Sequence, residues 1–329
     1  MKKVLILTGP AGDAQGWGNL DVTRQLCDTL NTHNRSAEIA FLESKQDFMD
    51  AIENKSYDIV WSALYHISTK ADIVGLNDDD GLWIADILDT RGIPYIGPNA
   101  LTMKQLIQKN WTHEILQKNQ VRVPENYTVD LGGSIPDPEF PVFVKPSCES
   151  RSVGISDDSV AHTKEELEKA IQYIHAEFEQ PALIEEYLPG EEYTVLMLSN
   201  AENQEFLPGI AKVDASHVGK YPILRSELRG VGLTKIHCPT DRVAESIELC
   251  RQAVSALNCL DHVRVDMRVS AEGQLKIIEV NGIPGLKPIK SWSPQMYSLY
   301  HAAPGGSMEE YQQLVHLIVD SGLSRYGLK

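Results

Sequence analysis

The sequence predicts an α/β chain with a parallel N-terminal sheet, followed by two smaller α+β units. Three observations predict it. Strand-like and helix-like stretches interleave over the first hundred residues, the Gly/Pro-rich run LGGSIPDPEFP interrupts the pattern at 131–141, and two alternating strands flank a turn within 262–283. The 329 residues can fill two or three compact domains, and a hydrophobic content of 42% is enough for real cores.

In order, the first part reads VLIL at 4–7, a helical 21–34, EIAFL at 38–42, a helical 45–54, DIVWSAL at 58–64, a helical 80–91 and IPYIG at 93–97. Strands separated by helices pair in parallel, because the chain must cross over between them. The loop from Gly9 to Gly18 follows the first strand without the GxGxxG spacing, so it is a weak dinucleotide fingerprint. It suits a ligand-facing loop at the carboxyl end of a parallel strand. A helical 100–119 then leads to Val121–Pro124 and the Gly/Pro-rich boundary. Beyond it come FVKP at 143–146, a polar loop, a helical 163–178 and the runs ALIEEYL and EYTVLMLS. The remainder holds a long loop at 214–236, a helix at 241–257, the strand pair, and a terminal helix at 307–322.

A formal charge of −16 with no basic run argues against nucleic-acid and anionic-membrane partners. Five cysteines without a CxxC pair indicate neither a disulfide framework nor a zinc site, which fits a reducing cytoplasm. The start, MKKVLILTGP, carries too short an apolar run for a signal or membrane segment.

The strand pair HVRVDMRVSAEGQLKIIEVNGI carries the chemistry. With Glu272 and Gly273 as the central turn residues, Ala271 pairs with Gln274, Asp266 faces Glu279 and Arg264 faces Asn281. Alternation then puts Arg264, Asp266, Glu279 and Asn281 on one face and Val265, Met267, Ile278 and Val280 on the core face. Facing carboxylates repel unless a cation lies between them. Two carboxylates and an amide suit Mg²⁺, a hard ion that shares substrate phosphates and keeps waters. The alternative is a solvated outer face.

Set beside FPVFVKPSCESRSVGIS and ALIEEYLPGEEYTV, this hairpin completes an ordered set of motifs. Together they resemble the ATP-grasp superfamily, in its D-alanine:D-alanine ligase branch, over essentially the whole chain. The resemblance implies a three-domain fold: an N-terminal parallel-sheet domain at 1–100, a central ATP-grasp subdomain at 101–188, and a C-terminal subdomain at 189–329 with the metal site and a lid loop. It also implies ATP and Mg²⁺ (two ions, with Mn²⁺ as a substitute), small amino-acid or carboxylic-acid substrates, and a homodimer.

By the same resemblance, Lys145 and Lys109 contact ATP phosphates, with Lys104 fitting less well than Lys109. Ser150 and Ser152 belong to the phosphate-covering loop, where small residues let backbone N–H groups approach phosphate oxygens. Glu185, Glu186, Tyr187 and Leu188 form the segment that meets adenine, and Glu192 takes the ribose hydroxyls. Asp266, Glu279 and Asn281 are the implied metal ligands, and Arg264 steadies the tetrahedral intermediate with backbone donors near Gly282 to Gly285. Lys220 and Tyr221 correspond to the lid pair.

Two departures bear on the substrate. The branch carries a first-loop glutamate for the substrate ammonium and a serine that links it to the lid tyrosine; Asn19 and Arg151 stand at those places, with Asp13 or Asp21 able to replace the acid. A guanidinium without the carboxylate favours a ligand bearing an extra acid. Beyond the hairpin, Gly285, Lys287, Lys290 and Ser291 are the expected acceptor-site residues, although two exposed lysines on a loop are equally consistent. The implied function is ATP-dependent amide formation through an acylphosphate. An authentic D-alanine:D-alanine ligase and a non-catalytic ATP-binding regulator are the alternatives.

Overall fold

The computed structural model describes all residues except 33–34, 55, 68–81, 200–202, 218, 229–231 and 329. Its N-terminal layer contains β1 (Lys3–Thr8), α1 (Gly12–Gln15), α2 (Leu20–Asn31), β2 (Ser36–Phe41), α3 (Lys45–Glu53), β3 (Ile59–Ser62), β4 (His66–Ile67), β5 (Leu82–Trp83), α4 (Ile84–Thr90) and β6 (Tyr95–Ile96). The sheet runs β2-β1-β3-β6 and its neighbours are parallel, as interleaved helices require. Helix α2 starts where Asn19 accepts a hydrogen bond from Val22 N at 3.2 Å, and it buries Val22, Leu26 and Leu30 at helical spacing. The helix expected at 80–91 begins at Ile84, and its first two expected residues lie outside the described ones.

The single helix expected over 100–119 is two helices, α5 (Ala100–Ile107) and α6 (Lys109–Lys118). Gln108 breaks the ladder with φ −97° and ψ 96°. Tertiary bonds compensate: Lys109 N donates to Ser147 O at 2.9 Å and Thr112 Oγ1 donates to Gln105 O at 2.7 Å. The break aims Lys109 toward the next layer. That layer has β7 (Asn126–Val129), β8 (Val142–Pro146), β9 (Val160–Ala161), α7 (Lys164–Phe178) and β10 (Ala182–Glu186), with sheet order β7-β10-β8-β9. Leu167, Ile171 and Ile174 of α7 cover Val142, Val144 and Ile184.

The last sheet is β13-β12-β11-β14-β15, built from β11 (Glu192–Ser199), β12 (Gln204–Val213), β13 (Thr234–His237), β14 (His262–Val269) and β15 (Leu275–Asn281). Strand β12 escaped the sequence reading because Pro208 and Gly209 sit inside it. Pro208 is tolerated because β13 pairs only with Ile210–Val213, so β12 is an edge strand where the proline falls. The stretch 214–236 is not one long loop, since β13 begins at Thr234; residues 218 and 229–231 of that expected lid lie outside the described ones. Strand β11 is apolar on both faces: Leu196 and Leu198 join the core under the N-terminal sheet, while Val195 and Met197 meet α8 (Val243–Ala256). Two further helices, α9 (Trp292–Tyr300) and α10 (Ser307–Arg325), complete the chain, and α9 was also missed. Helix α10 returns to the first layer, where an Arg325 Nη atom donates to Tyr95 O at 2.6 Å and to Asp261 Oδ2 at 2.8 Å.

In the hairpin, two departures from the expected register cancel. The turn has three residues between Ser270 and Gln274, closed by Gly273 N donating to Ser270 O at 3.0 Å with Gly273 at φ 79°. That shifts Met267 opposite Ile277. A bulge at Ile278 restores the count, so Asp266 does face Glu279 and Arg264 does face Asn281. Consequently Ile277 is the core residue, and Ile278 leaves the core face to line a cavity.

Candidate active site

The polar face of this hairpin is a wall between two cavities. The first is open to solvent and lies between the second and third sheets, lined by Lys109, Lys145, Glu185, Glu192, Asp266 and Glu279 among others. The second, also open to solvent, lies under the Gly9–Gly18 loop and is lined by Arg264, Asn281, Arg151, Lys287 and Lys290 among others. Asp266 and Arg264, two residues apart on one strand face, therefore belong to different cavities.

Charges in the first cavity are paired. Lys145 Nζ lies 2.8 Å from Glu185 Oε2 and donates to Ile278 O at 3.1 Å; Lys109 Nζ lies 3.1 Å from Glu279 Oε1 and also donates to Glu149 O. Burial raises the Glu185 carboxyl above its usual range, against the lowering pull of Lys145. Behind it, fully buried His113 has its pKa pushed down to about 3, first by desolvation and then by the Lys145 charge, so its imidazole is neutral. Ser152, Glu186, Tyr187 and Leu188, also expected at the nucleotide, line this cavity. Glu186 N donates to Glu125 O at 2.8 Å and Tyr187 N to Pro141 O at 3.2 Å, which leaves Leu188 N as the segment's donor without a protein acceptor among the described residues.

Asp266 is saturated by protein groups. Arg264 donates to it twice, Nε at 2.8 Å and an Nη atom at 2.7 Å; Asn281 Nδ2 donates at 3.0 Å and Thr194 Oγ1 at 2.7 Å. The expected repulsion between the facing carboxylates is therefore offset, since Asp266 holds Arg264 and Glu279 holds Lys109. Among the described residues no three His, Cys, Asp or Glu side chains cluster as a metal site. Asp266 and Glu279 offer carboxylate oxygens beside the two lysines, which fits a hard divalent ion that takes its other ligands from phosphate and water, whereas Asn281, the third expected ligand, lines the second cavity and donates its Nδ2 to Asp266. Arg264 also stacks on Trp292, 4.9 Å from the ring centroid, so Trp292 is a cavity wall.

The second cavity gathers Asn19, Arg151, Gly285, Lys287, Lys290 and Ser291, the six expected substrate residues. Several are engaged differently from expectation. Asn19 spends its side-chain oxygen capping α2, and Ser291 Oγ accepts from Lys287 N at 3.0 Å. Ser150, expected at phosphate, lines this cavity and donates to Ala14 O. Gly282 N and Ile283 N both donate to the Tyr65 hydroxyl, at 3.1 and 3.0 Å, so of the expected oxyanion donors Gly285 is the one left on the cavity. Arg151 and Ser152 adopt φ of 55° and 59°, a left-handed backbone that turns the loop so that consecutive residues reach opposite cavities.

The lid pair lines neither cavity, although the Tyr221 ring packs edge-on, 5.6 Å between centroids, against Tyr187 on the wall of the first. Tyr221 OH is 2.6 Å from His162 Nε2, Lys220 Nζ sits 4.9 Å from the Tyr221 ring centroid, and Asp157 Oδ2 accepts from Lys220 N at 3.1 Å. Neither side chain lines the two cavities, whereas Ile223 and Leu224, just beyond, line the first. Residues missed from sequence include Gln15, His113 and Arg268, while Tyr65 stands out there only as a departure from the family's His-Gly pair. Arg268 was findable: it shares the alternating face of Arg264 and Asp266, lines the first cavity, and donates to Gly190 O at 3.1 Å and Pro222 O at 2.7 Å. Gln15 sits inside the Gly9–Gly18 loop and His113 one helical turn beyond Lys109, but neither residue type marks a role without the tertiary contacts.

Residues 111–320 match the family model described as D-ala D-ala ligase C-terminus. A D-alanine--D-alanine ligase of Acetivibrio thermocellus is 28% identical over 341 aligned positions, covering 96% of this chain and 82% of that protein. An uncharacterized protein of Sinorhizobium fredii, y4sG, is 29% identical over 248 residues, covering 73% of this chain and 69% of its own. The crystal structure of a D-alanine--D-alanine ligase from Bacillus anthracis complexed with ATP superposes with a TM-score of 0.71 at 19% identity, covering 100% of this chain and 99% of that one, which shows a shared fold.

Proposed function

Since the chain belongs to the D-ala D-ala ligase C-terminus family and is an ATP-dependent carbon–nitrogen ligase, we propose that it joins the carboxylate of one small acid to the amine of a second substrate. The observation that carries this reading is the shared wall: one strand face presents Asp266 to the first cavity and Arg264 to the second. A nucleotide in the first cavity and an acid in the second would then meet at the hairpin.

In this reading Lys109 and Lys145 hold phosphates, Leu188 N meets adenine, and Glu192 takes the ribose. Magnesium, held by Asp266, Glu279 and Asn281, would offset the charge of the phosphates. The acid's carboxylate oxygen attacks the γ-phosphorus of ATP, releasing ADP and forming an acylphosphate. The amine nitrogen adds to the acyl carbon, Arg264 and Gly285 N steady the oxyanion, and collapse expels phosphate while the nitrogen loses a proton. Arg264 is oriented for this by its two bonds to Asp266, and its other Nη atom has no protein acceptor among the described residues. Closure of the Lys220–Tyr221 segment would exclude water from the acylphosphate. The boundaries 1–100, 101–188 and 189–329 belong to the same proposal, with one large sheet in each part and the two-stranded β4-β5 sheet also in the first.

The test is an ADP-release screen across pairs of acids and amines, followed by mass measurement of products. An amide product from one pair supports the reading; ATP binding without ADP release from any pair would return the chain to a regulator. The relatives' name favours a second reading, synthesis of D-alanyl-D-alanine itself. ADP release with D-alanine as the sole amino acid, at the rate of the best other pair, would establish it.

A further inference from the structure

Gln15 is 2% exposed, lines the second cavity, and lies in the Gly9–Gly18 loop, where the sequence gives it no role. Its Oε1 accepts two main-chain hydrogen bonds, from Tyr65 N at 2.8 Å and His66 N at 3.0 Å. These donors fix the amide orientation, because a flipped amide would set N–H against N–H. Nε2 is thereby left as a buried donor without a protein partner among the described residues. Such a group loses its solvation without compensation unless a ligand or water accepts from it. The backbone holds it there firmly: a side chain at Gly16 would place its Cβ 2.0 Å from Ala63 O, so the loop lies flush against the end of β3.

The charges around this donor have one dominant sign. The cavity is lined by Arg151, Arg264, Lys287 and Lys290, with Asp13 as its one carboxylate among the described residues. Asp13 pairs with Arg151, and Asp266 answers Arg264 from behind. Lys290 is exposed and has no ion pair among the described residues. In a chain of formal charge −16, such a lining attracts anions locally. An ammonium would meet an amide donor and four cations here; a carboxylate meets complementary groups.

Resting on the ligase reading for its place in catalysis, we propose that Gln15 selects the first substrate by donating Nε2–H to an oxygen acceptor, and that this substrate is a dicarboxylic acid without a free ammonium. One carboxylate would lie at the hairpin wall for phosphorylation. The second would be held by Gln15 and the cationic lining. Gln15 thereby acts as a donor at a site where a carboxylate side chain would select an amine.

The test measures binding and turnover separately. Calorimetry with wild-type protein, Mg²⁺ and a non-hydrolysable ATP analogue, using malonate, succinate, glutarate, D-alanine and L-alanine as probes, should find one diacid bound at least about 10-fold more tightly than either alanine. Gln15→Glu should weaken that diacid about 10²-fold and narrow or reverse the preference. Lys290→Glu, a surface change that leaves folding intact, should weaken it about 5-fold with the nucleotide affinity unchanged. Alanine binding as tight as every diacid, or an unchanged preference in folded Gln15→Glu and Lys290→Glu, overturns the inference. Diacid selectivity without ADP release across the amine panel would instead sink the ligase reading alone, and ADP release confined to α-amino acids would sink the Gln15 inference alone.

Discussion

The two cavities share a wall yet carry opposite charge. The first is lined by six carboxylates (Glu149, Glu185, Glu186, Glu192, Asp266, Glu279) against three cations (Lys109, Lys145, Arg268); the second has one carboxylate against four cations. The difference shows two ways to receive an anion. In the first, each lysine is already matched by a carboxylate, so a polyphosphate needs a metal ion to balance the acids. In the second, the excess cations can meet an anionic ligand directly.

The largest break in this contrast comes from Glu279→Ala. Turnover should fall by about 10³-fold or more, through loss of one proposed metal ligand. The melting temperature should fall as well, because Lys109 loses its 3.1 Å partner; removing one side of a fully buried pair costs about 3–5 kcal/mol, and less is expected here because both side chains keep some exposure. Unchanged turnover in a steady-state assay would remove Glu279 from the metal set, and a raised melting temperature would mean that carboxylate repulsion outweighs the ion pair after all.

Arg264→Ala probes the wall from the other side. We expect kcat about 10²-fold lower with nucleotide affinity nearly kept, since Arg264 lines the second cavity. A defect confined to the KM for ATP would reassign it to the nucleotide. A smaller effect belongs to Arg151→Ser, which removes one cation and its pairing with Asp13. Acid-substrate KM should rise about 10-fold while the ATP KM stays within about 2-fold; equal shifts in both would erase the distinction between the cavities at this loop.

The mildest effect concerns acid stability. His113 has a folded pKa near 3 against an ordinary 6.5, so as pH falls the unfolded chain takes up the proton first. Its contribution is complete above about 6.5 and is lost as pH drops toward about 3, and the buried His262, also pushed down to about 3, acts with the same sign. Melting curves from pH 7 to pH 4.5 should fall less steeply for folded His113→Gln than for wild type. Parallel curves would mean that His113 is not held neutral behind the first cavity.

Much of this arrangement was legible without coordinates where the signal is local. The alternation of strands and helices gave the parallel sheet of the first layer, and period-two alternation put Arg264, Asp266, Glu279 and Asn281 on one face. The Asp266–Glu279 pairing came from a count in which a longer turn and a bulge at Ile278 compensate each other. Neither is visible in residue types, since Ala-Glu-Gly serves a two-residue or a three-residue turn. Proline and glycine hid β12, whose edge position depends on where a later strand stops.

The sequence by itself determined the layered α/β plan, the family motifs and the composition of the hairpin's polar face, because hydrophobic period and turn chemistry act over a few residues. Only the tertiary structure decided which cavity each residue serves. Arg151 and Ser152 part ways through a left-handed turn, Tyr65 claims the Gly282 and Ile283 amides from more than two hundred residues away, and Gln15 becomes a fixed donor because two amides beyond β3 hold its oxygen. Those outcomes depend on which distant hydrogen-bonding groups the fold brings within about 3 Å of one another, a condition set by packing rather than by neighbours in the chain.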